Sequence, residues 1–90
     1  MKEFINGKIW NTDSSVMVKY LVEEEELGDG YIRYVQKALM QRPREMDYFV
    51  WVTKITTDRR NVLLDKNEYV YPVEESYVKR FGKGMPDIFP

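Results

Sequence analysis

Alternating apolar and polar residues run through the first part of the chain and predict β-structure. Phe4-Ile5 and Ile9-Trp10 flank the pair Asn6-Gly7. Asn-Gly is typical of a type I′ turn, because both central residues of that turn need a positive φ. We therefore predict a β-hairpin over residues 3–11. After a polar cluster, β-branched and aromatic residues alternate over residues 16–22, which predicts a strand.

Two segments are compatible with a helix as well as with a strand. Residues 16–22 also suit a helix that Asp13 would cap. Within residues 31–41, three apolar residues lie at helical spacing: Ile32, Val35 and Leu39. Ala38 and Met40 also alternate with their neighbours, which is equally compatible with a strand over residues 36–42.

The remaining strands are predicted from β-branched and aromatic runs. Residues 48–55 are almost all of this type and predict a buried central strand. If residues 36–42 are its antiparallel neighbour, residues 43–47 form the connecting loop. Residues 56–61 are polar and predict a loop. The sheet is completed by a short strand at 62–64, a turn at 65–67 and a strand at 68–71.

The best-marked helix covers residues 73–81. Apolar residues recur there at helical spacing: Val73, Tyr77 and Phe81. Acidic residues in the first turn and basic residues in the last complement the helix dipole, and Gly82 stands where a C-terminal cap belongs. These elements predict a single α+β domain over residues 1–82, a mainly antiparallel sheet of about five strands with the helix on one face. Residues 83–90 are predicted to form an extended tail.

The composition excludes several kinds of chemistry. The chain has 90 residues and contains neither cysteine nor histidine. Disulfides and thiolate metal sites are therefore impossible, and the most frequent general base is missing. With no recognisable catalytic arrangement, we predict that the protein is not an enzyme and has no catalytic residue, cofactor or metal site. No apolar segment is long enough for a signal peptide or a membrane span, which predicts a cytoplasmic protein.

An acidic run is the most conspicuous candidate binding site. Five carboxylates lie close together in the sequence: Glu23, Glu24, Glu25, Glu26 and Asp29. Such a run can imitate the phosphate backbone of a nucleic acid and occupy a basic channel of a partner protein, because the same Coulomb attraction draws Lys and Arg to phosphates. The alternative is a solvated loop that only keeps the protein in solution.

Four arginines form a second candidate site in two predicted loops: Arg42, Arg44, Arg59 and Arg60. If these loops share one end of the sheet, they form a cationic patch near Tyr48 and Trp51. Guanidinium groups beside aromatic rings suit single-stranded nucleic acid. The sequence pI of about 5.5 argues against a dedicated nucleic-acid binder. Ordinary surface charge is the alternative.

The strand over residues 48–52 is apolar on both faces, so both faces need to be covered. The predicted helix covers one of them. The tail, the N-terminal hairpin or a second copy of the chain can cover the other. Homodimerisation is therefore a secondary prediction.

The stretch INGKIWNTD at residues 5–13, the segments 37–41 and 48–51, and residues 70–75 occur in a familiar order. Together they resemble a family of small uncharacterised proteins from phages and mobile elements of Gram-positive bacteria. Residues 5–13, INGKIWNTD, are similar to the family's opening hairpin, I-x-G-K-x-Y-x-T-[DE]-T. Residues 37–41 with 48–51 match its polar-aromatic hairpin, and residues 70–75 match its I-x-P-L-x-E-E ending. The sequence departs from the family in residues 57–64, where a glycine-rich segment would stand, and in its longer acidic run.

The resemblance implies a strand over residues 36–42 and an origin in a phage or mobile element, a setting in which some small proteins inhibit bacterial defence systems. It supplies no catalytic residue. Our first hypothesis is a non-enzymatic module that binds a host or phage protein, in its sharpest form an anti-CRISPR-like inhibitor that works by acidic mimicry. The alternatives are a nucleic-acid-binding accessory protein that uses the arginines and a structural protein that self-associates.

Overall fold

A computed structural model describes residues 1–81 of the chain. Its elements are β1 (Lys2–Ile5), β2 (Lys8–Asn11), β3 (Val16–Gly28), β4 (Tyr31–Gln41), β5 (Tyr48–Thr57), β6 (Leu63–Val73) and α1 (Glu75–Val78). The α+β class is confirmed, with six strands in two sheets rather than about five in one. The predicted tail over residues 83–90 and the predicted cap at Gly82 lie outside the described residues.

The four longer strands form one antiparallel meander in the order β3-β4-β5-β6, and β1 and β2 form a separate hairpin. Within the described chain, β3 and β6 are therefore edge strands with one neighbour each. Because consecutive strands run in opposite directions, the β3–β4 turn and the β5–β6 loop lie at one end of the sheet, which we call the distal end. The β4–β5 loop lies at the proximal end.

Two tight turns contain a pair of residues with positive φ. In the β1–β2 turn, φ is 54° at Asn6 and 75° at Gly7, which confirms the predicted hairpin. In the β3–β4 turn, φ is 53° at Asp29 and 82° at Gly30. An Asp-Gly turn of the same kind therefore joins the acidic run directly to β4.

Gly30 is a position at which alanine should be costly. An added Cβ would lie 2.5 Å from the Cβ of Arg59, and the backbone φ is +82°. We expect Gly30→Ala to lower the free energy of unfolding by about 2–3 kcal/mol, because left-handed strain and displacement of Arg59 add together. Gly7→Ala is the control, with a φ of +75° but nothing within 4 Å of the added Cβ. We expect it to cost about 1 kcal/mol. If urea denaturation shows the same loss of unfolding free energy for both variants, the close approach of the β3–β4 turn to Arg59 in the β5–β6 loop is contradicted.

The hairpin packs on one face of the proximal half of the sheet, which we call the hairpin side. Trp10 is at the centre of this contact, with only 3% of its surface exposed. Its ring meets the Phe49 ring edge-on, with the centroids 5.6 Å apart. The Trp10 Nε1 donates to the carbonyl oxygen of Ile5 at 3.1 Å, so the indole is hydrogen-bonded within the hairpin. The other buried members of this cluster are Ala38, Met40 and Val70.

The opposite face, the helix side, is covered by the segment that follows β6. The buried members of this cluster are Val35, Leu39, Val50, Val52 and Phe81. Val73 and Tyr77 pack against them, so the predicted apolar stripe of Val73, Tyr77 and Phe81 does face the core. The central strand β5 is thus covered on both faces in its proximal half, by the hairpin on one side and the C-terminal segment on the other.

The helix is shorter than the predicted residues 73–81, because α1 contains only Glu75–Val78. Val73 ends β6 instead of starting the helix. Pro72 lies opposite Phe49 in the ladder, and its missing N–H is tolerated there because β6 is an edge strand. Among residues 1–81, no helix has the length and apolar character that crossing a lipid bilayer requires.

Four strands are longer than predicted, including β5, which runs to Thr57. β3 continues past residue 22 and includes the acidic run, and β4 takes in all of residues 31–41, so that segment is a strand and not a helix. β6 is continuous, and the predicted turn at 65–67 is wrong. These three polar residues pair with residues 54–56 of β5, and an edge strand leaves such side chains in contact with water.

The β5–β6 loop is shorter than the predicted residues 56–61, because β5 continues to Thr57. Asp58 closes the loop that follows. Its carboxylate accepts hydrogen bonds from the backbone N–H groups of Arg60 at 2.8 Å and Val62 at 3.0 Å. A single aspartate therefore satisfies the backbone of this loop, as Asp side chains often do in turns.

Candidate interaction surface

The acidic run is divided between the two faces of the sheet, because successive side chains of a strand point to opposite faces. In the β3–β4 register, Glu24 and Glu26 lie on the hairpin side, and Glu23 and Glu25 lie on the helix side. The run is thus part of an edge strand and not a loop. Its four carboxylates do not form one patch.

The two helix-side carboxylates lie near cations of β4. Glu23 Oε1 is 3.8 Å from the Nζ of Lys37, whose side chain is only 4% exposed. Glu25 Oε2 is 3.9 Å from the Nη1 of Arg33. These cross-strand pairs reduce the negative charge that the helix side presents to a partner.

The distal half of the hairpin side is not covered by the hairpin, and we call it the open sheet face. All four long strands contribute to it: Tyr20, Val22, Glu24, Glu26, Tyr34, Gln36, Thr53, Ile55, Lys66 and Glu68. Tyr20 and Val22 are 52% and 50% exposed. A groove of about 370 Å³ crosses this face and ends against Trp51 and Ala38, where the hairpin begins. The open sheet face is a concave surface with an aromatic and aliphatic floor.

The open sheet face has more acidic than basic side chains. Glu24, Glu26 and Glu68 provide three carboxylates, and Lys66 provides the one ammonium group in its set of residues. Asp29 follows in the distal turn and is exposed. The face therefore presents net negative charge around its apolar floor, which attracts cationic groups.

Arg42 is held inside the protein and is not available as a nucleic-acid contact. Its Nε and Nη2 donate to the two carboxylate oxygens of Asp47 at 2.6 and 2.8 Å, and its side chain is only 12% exposed. The guanidinium lies 4.5 Å from the centre of the Trp10 ring, a cation–π distance. Its Nη1 also donates to the carbonyl of Ile9 at 3.3 Å, so Arg42 joins the sheet to the hairpin.

The Arg42–Asp47 pair shifts both ionisation equilibria. Hydrogen bonds from the guanidinium lower the pKa of Asp47, and the Lys8 ammonium, which donates to the same Oδ2 as Arg42 Nη2 at 3.2 Å, lowers it further. The same hydrogen bonds raise the pKa of Arg42. Both groups are therefore charged at neutral pH, and Lys8 adds a second link from the hairpin to the β4–β5 loop.

The other three arginines are not brought together. Arg44 lies in the β4–β5 loop at the proximal end, and Arg59 and Arg60 lie in the β5–β6 loop at the distal end. The predicted cationic patch requires both loops to lie at the same end of the sheet. Because they lie at opposite ends, the patch does not form. Arg59 adjoins Gly30, so the distal arginines lie next to the acidic turn at Asp29.

The sequence analysis missed the apolar residues of the open sheet face. Tyr20 and Val22 were placed on a strand, but alternation alone does not separate a covered face from an uncovered one. Tyr34 and Ile55 gave no signal for the same reason. The length of the hairpin indicates that part of the sheet stays uncovered. Its strands have four residues each, and they cannot cover strands of ten residues or more.

The face offers contact surface rather than a set of reacting groups. In residues 1–81, no three acidic side chains are grouped so that they could hold a metal ion. Comparisons of the chain with protein-family models, with curated proteins and with solved structures find no match.

Proposed function

We propose that the protein is a non-catalytic binding module that receives a basic surface of another protein on its open sheet face. The observation that carries the proposal is that one face combines an aromatic floor, which the hairpin leaves uncovered, with carboxylates at its edge. We call these carboxylates, Glu24 and Glu26, the rim. Exposed apolar patches rimmed by polar groups are typical of protein–protein interfaces.

The floor and the rim have different physical roles in this proposal. Tyr20, Tyr34 and Trp51 supply large rings, the residue types in which binding energy concentrates. Their burial removes apolar surface from water and favours the complex. Glu24 and Glu26 attract a basic partner over longer distance, which raises the association rate and selects against acidic proteins.

Acidic mimicry applies to part of the run. Glu24 and Glu26 are two residues apart on one strand, which places their side chains about 7 Å apart on the same face. They form a short line of negative charge along the rim, and Asp29 follows in the distal turn beside Arg59. We propose that this line takes the place of phosphates on a nucleic-acid-binding protein of the bacterial host. An inhibitor of a defence system, encoded by a phage or mobile element, is the form of this function that the sequence resemblance supports.

The experiment compares charge-neutralised variants of the full chain. We expect Glu24→Gln combined with Glu26→Gln to weaken partner binding at least about tenfold, because both rim charges are lost without a change in side-chain size. The matched control is Glu74→Gln combined with Glu75→Gln, which removes the same charge from exposed residues beside α1. Proteins captured from bacterial lysate by the wild type and the control, but not by the rim variant, are then titrated against each chain.

A second measurement separates mimicry from simple protein binding. If the captured protein binds DNA or RNA, the wild-type chain should displace that nucleic acid, and the rim variant should not. Equal capture by the rim variant and the control would contradict a role for the open sheet face. A salt-sensitive gel shift of nucleic acid by the chain alone would favour the arginine-based alternative instead.

A further inference from the structure

The free edge of β3 is the second unusual surface of the protein. Val16, Met17, Val18, Tyr20 and Val22 all lie on this strand and are between 42% and 56% exposed. Among residues 1–81, β3 pairs only with β4, so its outer row of backbone N–H and C=O groups has no strand partner. Long apolar edges of this kind template pairing with another strand unless charges prevent it.

The regular part of this edge is limited by two irregularities in the ladder. Register shifts occur between Met17 and Lys19 and again between Glu26 and Gly28. Bulges of this kind bend a strand and interrupt its pairing. The stretch between them, residues 19–26, is regular, and in a pair of copies centred on Leu21 it provides unbroken pairing over residues 19–23 of each copy.

The sequence of this stretch is complementary to itself around Leu21. When two copies are antiparallel and centred there, Lys19 lies opposite Glu23 of the other copy, and Tyr20 lies opposite Val22. Lys19 and Glu23 share the helix side, whereas Tyr20 and Val22 share the hairpin side, so each pair meets on one face. We infer that two copies of this chain pair through their β3 edges in this register, with a two-fold axis at Leu21.

Other registers lack this complementarity. If the two-fold axis lies at Glu23, the Glu23 carboxylates of the two copies face each other. Like charges directly opposite each other are destabilising. Centring the pair on Val22 keeps a charge pair, Lys19 opposite Glu25, but places Tyr20 against Glu24 and Leu21 against Glu23, so the apolar contacts are lost. The glutamates that would normally block an edge therefore select one register, and a sheet of four strands becomes one of eight.

This pairing has a consequence for the open sheet face. An antiparallel two-fold axis perpendicular to the sheet keeps the hairpin side of both copies on the same surface. The two grooves then adjoin across β3, and the dimer presents both acidic rims to one partner. The inference of a dimer depends only on the β3 edge. It remains valid even if the open sheet face binds no basic partner.

A charge reversal tests the interface. Lys19→Glu places a glutamate opposite Glu23 twice in the dimer, and we expect the dissociation constant to rise at least about tenfold. Lys66→Glu is the matched control, because it makes the same change at an exposed lysine of the other edge strand, β6. Sedimentation velocity over about 5 to 500 µM covers the range in which small interfaces dissociate, and circular dichroism checks that both variants are folded.

An introduced cysteine tests the register. Leu21→Cys places two thiols directly opposite each other on the two-fold axis, and the chain has no other cysteine. We expect rapid disulfide-linked dimer under mild oxidation. Leu64→Cys, at an exposed site on β6, is the control and should form little disulfide-linked dimer.

The two tests decide the inference together. A wild-type chain that stays monomeric over the whole concentration range overturns it. The inference is also overturned if Lys19→Glu and Lys66→Glu weaken the dimer equally. Equal disulfide formation at positions 21 and 64 overturns it as well, because either result places the interface elsewhere. Selective dissociation by Lys19→Glu with selective crosslinking at position 21 supports it.

Discussion

Replacing Trp10 by alanine should lower the free energy of unfolding by about 3–5 kcal/mol, the range for a large aromatic side chain removed from a core. The side chain is 3% exposed and fills the space between the hairpin and the sheet. Its loss also removes the edge-on contact with Phe49 and the ring beneath the Arg42 guanidinium. The hairpin would then be held mainly by polar contacts.

Phe4→Ala is the matched control for this substitution. Phe4 lies on the same hairpin but is 71% exposed, so we expect a change of no more than about 0.5 kcal/mol. Both variants are measured by urea denaturation followed by far-ultraviolet circular dichroism, since Trp10 itself contributes to the fluorescence. A loss of less than about 1 kcal/mol for Trp10→Ala would contradict tight packing of the hairpin.

The second large effect is expected at Asp47. Asp47→Asn keeps the shape of the side chain but removes the charge that holds Arg42 and Lys8, and we expect a loss of about 1.5–3 kcal/mol. The Arg42 side chain, only 12% exposed, would keep just the more distant Glu45 carboxylate, whose Oε2 is 4.0 Å from its Nε, and this loss of compensation is the costly part of the change. Asp13→Asn is the control, because the Asp13 side chain is 87% exposed and its ion pair is long, at 3.9 Å.

The Asp47 contribution should also depend on pH. Its pKa in the folded protein is lowered, so the stabilisation is fully present above the ordinary carboxyl pKa of about 3.9 and is lost as the pH falls through the lowered value. Wild type and Asp47→Asn should therefore differ most at neutral pH and converge in acid. A difference that stays constant from neutral to strongly acidic pH would show that the charge of Asp47 has no part in it.

Much of the fold follows from local sequence signals. The Asn6-Gly7 turn fixes the first hairpin because its backbone requirement is met by few other residue pairs. The run over residues 48–55 predicts the central strand β5 because it is β-branched and aromatic throughout. The same turn rule, applied to Asp29-Gly30, would have predicted that the acidic run is a strand paired with β4.

The errors arose where pairing between strands outweighs local preference. Residues 65–67 have the composition of a turn, yet β5 holds them in a ladder. Pro72 suggests a strand end, but an edge strand does not need its N–H group. In the acidic run, cross-strand cations at Lys37 and Arg33 compensate two of the four charges. None of these partners is close in sequence.

The candidate site was predictable only in part. The acidic residues were identified, but their division between two faces required the strand register. Arg42 could not be separated from Arg44 by sequence, because its contacts with the Trp10 ring and the Ile9 carbonyl depend on the packing of the hairpin. The extent of the open sheet face is set by how much of the sheet the hairpin covers, and this too follows from the packing and not from the local sequence.

The docking of the hairpin also affects how the chain behaves during its synthesis. The hairpin precedes the sheet in sequence, but Trp10 packs against residues as late as Val70. A ribosome must therefore make β3 through β6 before the indole has a place to be buried. During that interval the nascent hairpin exposes Ile5 and Trp10, which are covered in the folded protein, and such apolar surface is bound by chaperones and promotes aggregation when translation stalls.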